Sequence, residues 1–215
     1  MSLDGNSSKV SARSSNRLGR ASRDQIIEAA EKLLLEDGYH ELSTRKVAAA
    51  CGISPGNLTY HFPSKILLVE EVMHDVCERY AKVRPEVPVF GSDADPISEL
   101  RRILAWMIDD AMVPETNGLF LEFWILAKHH GFGTQIIERS YELAIAWLVD
   151  VTAALFPTST DERRHQAAYL MLTVTEGTIP VFARKHARPS RPADLVDPTV
   201  QAVVSILTDE LQRAT

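Results

Sequence analysis

Long apolar runs are missing from this 215-residue chain. No stretch of about 18 apolar residues exists, so no membrane-spanning helix is expected. Cysteine is scarce. Cys51 and Cys77 are the only two, and both lie in expected helices, so they read as free buried thiols of a reducing compartment. The arginines near the N-terminus are not followed by an apolar segment, which argues against a secretory leader and for a cytoplasmic location. No alternating pattern of useful length marks a β-strand, and no internal repeat is visible. There is no His-Glu-x-x-His, no Gly-rich phosphate loop and no Ser or Cys nucleophile motif. An enzyme is therefore not expected, nor a cofactor, nor a metal site. His129 and His130 are adjacent and would point to different sides of a helix, a poor pair of ligands even with Glu122 nearby.

What is present is concentrated in residues 44–65, TRKVAAACGISPGNLTYHFPSK. This stretch has the form of two short helices around a tight turn. Val47, Ala48, Ile53 and Leu58 supply apolar positions where the helices would touch. Gly52 stands where the turn needs a residue tolerant of positive φ. Ser54 can cap the second helix and Pro55 suits its first turn. A short rod from Pro55 to about His61, polar on its outer side, fits a DNA major groove. The net charge of −6 looks unsuited to DNA until it is divided. Residues 1–65 carry nine Lys/Arg against seven Asp/Glu, and residues 66–215 fourteen against twenty-two. The positive excess lies with the helix-turn-helix, as phosphate binding requires.

From about Arg23 to Val72 the chain resembles the DNA-binding domain of the tetracycline-repressor (TetR) family of bacterial transcription regulators. The resemblance rests on an amphipathic first helix ending in Asp37-Gly38-Tyr39, then Ser43-Thr44 and Val47-Ala48. Ala50-Cys51-Gly52-Ile53-Ser54, Gly56-x-Leu58 and Tyr60-His61-Phe62-x-Ser64-Lys65, followed by an apolar helix, complete it. Thr59, where the family more often has an aromatic, and Cys51, where a small Ala is common, depart from it. The resemblance implies a ligand-responsive regulator, usually a repressor, that acts as a homodimer and holds a small-molecule pocket in its C-terminal domain. It also places Lys65 on the DNA backbone.

The expected architecture is all-α, with about nine helices. Residues 1–20, rich in Ser, Asn, Gly and Arg, read as a disordered basic arm. Lys9, Arg13, Arg17, Arg20 and Arg23 either solubilise it or let it follow phosphates. Residues 21–66 form the three-helix DNA-binding domain, whose first helix runs from Ser22 to Glu36. Residues 67–215 form a helical ligand-binding and dimerisation domain. A long helix from Ser64 leads into it, and Pro85, Pro88 and Gly91 mark its border. The body helices are expected over Pro96–Met112, Gly118–His130, Thr134–Phe156, Asp161–His186, kinked at Pro180, and Pro198–Gln212. The helix after Asp161 is apolar nearly all round from Ala167 to Phe182 and needs covering on every side. A symmetric homodimer packing the last two helices of each chain supplies the cover. Two recognition helices would then read a palindromic double-stranded operator.

Within the motif, Thr44 is expected to cap its helix and meet a phosphate. Arg45 reaches phosphate or a base edge. Ser54, Pro55, Gly56 and Asn57 form the leading turn of the reading helix. There Gly56 allows close backbone approach, and Asn57 offers a paired contact to adenine. Thr59 suits a thymine methyl, while Tyr60, His61 and Lys65 suit phosphates. In the body, Trp106, Met107, Phe123, Trp124, Trp147 and Tyr169, with Thr173 and Glu176, are candidates for an effector of unknown identity. Ordinary core is the competing reading for the aromatics. A carboxylate beside aromatic rings can receive a cationic or amine-bearing ligand; an ion pair or a dimer contact is the alternative. The alternative for the whole chain is a constitutive DNA-binding protein of the same fold with no small-molecule effector.

Overall fold

The computed structural model of the chain describes residues 7–88, 95–182 and 193–208, with side chains placed over 23–88, 95–181 and 195–208. Among these, every regular element is a helix: α1 (Ser7–Glu41), α2 (Thr44–Ala50), α3 (Pro55–His61), α4 (Lys65–Lys82), α5 (Pro96–Ala111), α6 (Pro114–His129), α7 (Gly131–Leu155), α8 (Asp161–Phe182) and α9 (Ala193–Leu207). The all-α reading is thus met. Two compact units form, Met1–Val76 and Cys77–Thr215. The division falls inside α4 rather than near residue 66, because Leu68, Val69, Val72, Met73 and Val76 at the start of that helix are all buried and fall in the first unit.

In the first unit, Ile26, Ile27, Ala30 and Leu34 are the buried stripe of α1. The helix breaks where expected, at Gly38, whose φ of 78° and ψ of 167° are closed to residues carrying a Cβ. Its start differs. The backbone is helical from Ser7, where the sequence reading leaves the chain unstructured to about residue 20. No proline and only one glycine, Gly19, stand between Ser7 and Ser22, so nothing halts a helix propagating back from its docked part. Residues 1–6 and the side chains of Lys9, Arg13, Arg17 and Arg20 lie outside the described residues. Arg23 leaves the expected arm. Its guanidinium pairs with Glu71 at 2.6 Å and lies over the Phe62 ring, which pins α1 to α4 within the unit.

The second unit is built from α5 to α9, whose buried core joins Leu100, Ile103 and Leu104 of α5, Leu148 and Val151 of α7, Met171 of α8, and Val200 and Val203 of α9. Asp95 caps α5, accepting from the Ser98 amide at 2.9 Å, with Pro96 in the first turn. Arg101 reaches Asp197 at 2.9 Å and ties α5 to α9. Two helix starts fall earlier than the sequence suggests. α6 opens on Pro114, which ends nothing, since its missing N–H costs no bond in a first turn. α9 opens on Ala193 and takes Pro198 inside, giving up the bond to the carbonyl of residue 194. Gly91, residues 183–186, the Phe182 side chain and the stretch from Leu211 to Gln212 lie outside the described residues.

Gly131 and Gly133, which the sequence suggests as an interruption, open α7 instead. His130 takes extended backbone, and its amide reaches Leu126 at 2.8 Å, so α6 and α7 reverse with no loop. Gly133 is the enabling residue. A Cβ there would stand 2.9 Å from the Ala127 nitrogen and 3.0 Å from its Cα. The Thr134 hydroxyl then donates to the Ala127 carbonyl at 2.8 Å. Gly133→Ala should therefore push two backbones apart, at a cost of about 1–3 kcal/mol. Scanning calorimetry should show a melting temperature lower by roughly 3–10 °C; an unchanged value would mean that the junction has slack.

Candidate nucleic-acid interface and body cavity

Between α2 and α3 the turn is made as the residues require. Gly52 has φ of +66°, and the amide of Ile53 returns to the Ala48 carbonyl at 3.0 Å. Val47, Ala48 and Leu58 are buried where the two helices meet. Ser54 caps α3 by accepting from the Asn57 amide at 3.2 Å, and Pro55 sits in the first turn. The cap of α2 is a correction. Ser43, not Thr44, accepts from the Lys46 amide, because Ser43 is the residue with extended backbone and Thr44 is already helical. Thr44 is left half-buried at the first position of the helix.

The outer side of α3 is open. Ser54, Pro55, Gly56, Asn57, Thr59 and Tyr60 are exposed, as is Arg45 on α2. Tyr60 is 84% exposed, an unusual state for a large aromatic, and its ring meets His61 edge-on. A Cβ at Gly56 would meet nothing closer than the Ser54 hydroxyl at 4.0 Å, so its bareness serves nothing inside the fold. The Thr59 hydroxyl donates back to the Pro55 carbonyl at 2.8 Å, which leaves its methyl as the outward group. Lys65 differs from its neighbours. Its ammonium lies 4.1 Å from the Tyr39 ring centroid and donates to the His40 carbonyl at 3.4 Å. Burial lowers its pKa, against the pull of Glu41. It therefore anchors the start of α4 to the turn after α1.

In the second unit, a small enclosed cavity of about 30 Å³ lies among Tyr80, Arg84, Trp106, Met107, Phe120, Tyr141, Trp147, Thr175 and Glu176. That is room for one or two waters. An open groove of about 470 Å³ runs along Trp124, Tyr141, Ile145, Leu172, Thr173, Glu176, Gly177 and Pro180. Of the candidates from the sequence, Trp106, Met107, Trp147 and Glu176 line the cavity, while Trp124, Thr173 and Glu176 line the groove. Phe123 lines neither. It is fully buried and packs on Phe120, an ordinary core role. Tyr169 also lines neither; it is exposed beside His165 on α8.

The polar groups of this site are joined. Trp124 Nε1–H donates to the Tyr141 hydroxyl at 2.7 Å, and that hydroxyl donates to Glu176 Oε2 at 3.0 Å. Burial pushes the Glu176 carboxyl up to about 7, held from going further by the Tyr141 bond. Burial also raises Tyr141, with the Glu176 charge adding to it. Tyr80, which lines the cavity, bonds Asp110, whose pKa burial raises, and the Asp110 Oδ2 atom is buried with no hydrogen-bond partner among the described residues. Arg84 donates to the Leu143 carbonyl at 3.1 Å and lies near the faces of Tyr80 and Trp147. Sequence reasoning missed Tyr80, Arg84 and Tyr141. Tyr141 sits among the polar residues of α7 with no pattern to mark it, and Arg84 stands beside Pro85 in what reads as a linker. Among the described residues no cluster of His, Cys, Asp or Glu suits a metal ion, and no helix is long and apolar enough to cross a membrane.

These features define a class: a two-unit, all-helical chain with a helix-turn-helix in its first unit. Residues 26–72 match the model for bacterial regulatory proteins of the tetR family. The HTH-type transcriptional regulator UidR of Escherichia coli is 36% identical over 69 residues, 32% of this chain and 35% of that protein. The match thus spans about a third of that curated relative's length. Among solved structures, a putative tetR-family transcriptional regulator from Mesorhizobium loti superposes with a TM-score of 0.74 at 18% identity, over 87% of this chain and 97% of that one. The multidrug binding protein EbrR, solved in complex with proflavin, superposes with a TM-score of 0.61 at 19% identity, over 86% and 99%. Residues 26–72 thus carry the DNA-binding domain of the tetR family of bacterial regulatory proteins, and the solved structures extend the likeness of fold over the rest of the chain. Its curated relatives are regulators, not enzymes.

The raised Glu176 carboxyl has a consequence for stability. The folded state holds this proton more tightly than the unfolded chain, so the stability it allows is full below the ordinary carboxyl value of 4.5 and is lost as pH rises through about 7. Glu176→Gln should remove the loss, gaining roughly 2–3 kcal/mol at pH 8 and little at pH 4.5. Urea melts at both pH values measure it; an equal gain at both would assign it to packing.

Proposed function

We propose that this protein is a ligand-responsive DNA-binding transcription regulator, a repressor that binds a palindromic operator as a homodimer. One observation carries the DNA-binding part: a capped, seven-residue second helix stands behind a positive-φ glycine with its whole outer side bare. Ser54, Pro55, Gly56, Asn57, Thr59, Tyr60 and His61 of this helix are the proposed DNA contacts, with Thr44 and Arg45 beside them. Lys65 joins them only if it leaves Tyr39. Asn57 and the Thr59 methyl are the groups suited to base edges, and Tyr60 suits a phosphate.

The dimer reading rests on α8. Tyr169, Thr173 and Val181 are exposed on it, although the sequence is apolar nearly all round. A second copy packing its last two helices there would cover them. The effector reading rests on the Glu176 site, where a buried carboxylate and aromatic rings surround a cavity and adjoin a groove. The likeness of fold to a multidrug binding protein adds support of a general kind. A constitutive DNA-binding protein is the second reading, and the size of the cavity favours it, since about 30 Å³ admits no organic ligand as it stands.

Selection of bound duplexes from a random pool should return a palindrome. On that duplex, Asn57→Ala and Tyr60→Ala should each weaken binding about tenfold or more, while sedimentation shows an unchanged oligomer. The Asn57 variant should also relax sequence preference, and the Tyr60 variant should weaken all sequences alike. Full affinity in both variants would refute the assignment.

A further inference from the structure

We propose that Tyr141 is the gate of the effector site, and that the effector which opens it is a planar aromatic cation whose charged N–H takes the place of the Tyr141 hydroxyl at Glu176. The inference rests on reading the second unit as an effector domain and names the chemistry and entry of that site.

Size comes first. A cavity of about 30 Å³ is well below the roughly 150 Å³ that accepts a benzene ring, whereas the adjoining groove of about 470 Å³ is ample but open. An enclosed site for a ring exists only if the two are joined. The residues that line both are Tyr141, Leu172 and Glu176, so these form the partition. Leu172 is held by packing alone, while Tyr141 is held by two hydrogen bonds, from Trp124 and to Glu176. Breaking the partition therefore means replacing the donor at Glu176.

Charge decides what replaces it. A carboxylate takes a cationic N–H donor in preference to a neutral phenol, since charge-assisted bonds are about twice as strong. Glu176 lines the cavity, and Tyr80, which also lines it, is itself engaged with Asp110. Arg84 is the cation that lines the cavity, and it is committed to the Leu143 carbonyl and two ring faces. An anion would meet the Glu176 carboxylate; a cation would meet it with Trp106, Trp147 and Tyr80 placed to receive its ring system. Titratable and polar groups that share the lining with Glu176 are Tyr80 of α4, Arg84 after it, Thr116 and Trp124 of α6, Ser140 and Tyr141 of α7 and Thr175 of α8; Asp110 of α5 and Cys77 of α4 stand behind Tyr80 and Arg84. With the Glu176 carboxyl raised to about 7, uptake of a cation near neutral pH releases its proton.

The test uses the full chain with proflavin, a planar aromatic cation across pH 6–8, and acridone, an uncharged plate of similar shape. Fluorescence titration should show proflavin bound at least about tenfold more tightly than acridone, with its affinity rising about tenfold from pH 6 to pH 8. Glu176→Gln should abolish both the preference and the slope, while Asp110→Asn keeps the slope. Tyr141→Phe, which fills the same space without closing on Glu176, should bind proflavin several-fold more tightly and faster. Both key substitutions are near-isosteric, and matched circular dichroism shows that they fold. Weaker proflavin binding by Tyr141→Phe would make Tyr141 a ligand contact and overturn the gate. Equal binding of acridone would overturn the cation and leave the effector domain standing. Binding of neither probe, with no compound of a broad panel raising the melting temperature, would overturn both.

Discussion

A carboxylate cannot be buried among aromatic rings without a donor, and the second unit is organised around that constraint at Glu176. Its solution is a relay in which one phenol serves two masters. Tyr141 accepts from an indole of α6 and donates to a carboxylate of α8, so α6, α7 and α8 share a single polar node. The node is neutral or charged according to one proton. In the same wall Trp147 bonds the Pro85 carbonyl at 3.2 Å and Arg84 donates to the Leu143 carbonyl at 3.1 Å, so both of these donors are turned to backbone rather than to the carboxylate.

The first unit solves a different problem with local means. Seven-residue helices are too short to persist alone, and α2 and α3 persist because each is capped and each sets its apolar residues on a common core. The left-handed Gly52 fixes their crossing. The core side is therefore fully spent on stability, and the outer side is free of structural duties, which is why an 84% exposed tyrosine can stand there. Lys65 shows the reverse economy: a cation suited to phosphate is bound to a carbonyl and a ring, so any role on DNA would compete with its role as anchor.

What was legible in the sequence follows from how local each determinant is. The α2–turn–α3 unit depends on residues within twenty positions of one another, and Gly52, Ser54 and Pro55 act as the sequence suggests. The cap of α2 was misplaced by one residue, because Ser43 and Thr44 are chemically equal candidates and only the backbone decides between them. Prolines misled at Pro114 and Pro198, since the same ring that stops a helix also starts one. The body site was half legible. Glu176 stands out as a charge in an apolar helix, and Trp106 and Trp147 as large aromatics, but Tyr141 and Arg84 matter only through partners 35 and 59 residues away. Phe123 and Tyr169 carried the same composition signal and turned out to be core and surface, which composition alone does not separate.

The glycine contact at Gly133 has a consequence for where the second unit can yield. With the α7 backbone lying against the backbone at Ala127, α6 and α7 have no side-chain layer at their junction through which to slide. They form a stiff hairpin. Compliance must reside in the remaining wall, and the end of α8 is made for it. Pro180 leaves the Glu176 carbonyl without its helical N–H, Gly177 adds no side-chain bulk, and the buried Asn117 holds the turn by one bond to the Ile179 carbonyl at 3.0 Å. Load applied at Glu176 would therefore bend α8 before it moved the hairpin, so the flexible strut is also the one that carries the exposed face of Tyr169, Thr173 and Val181.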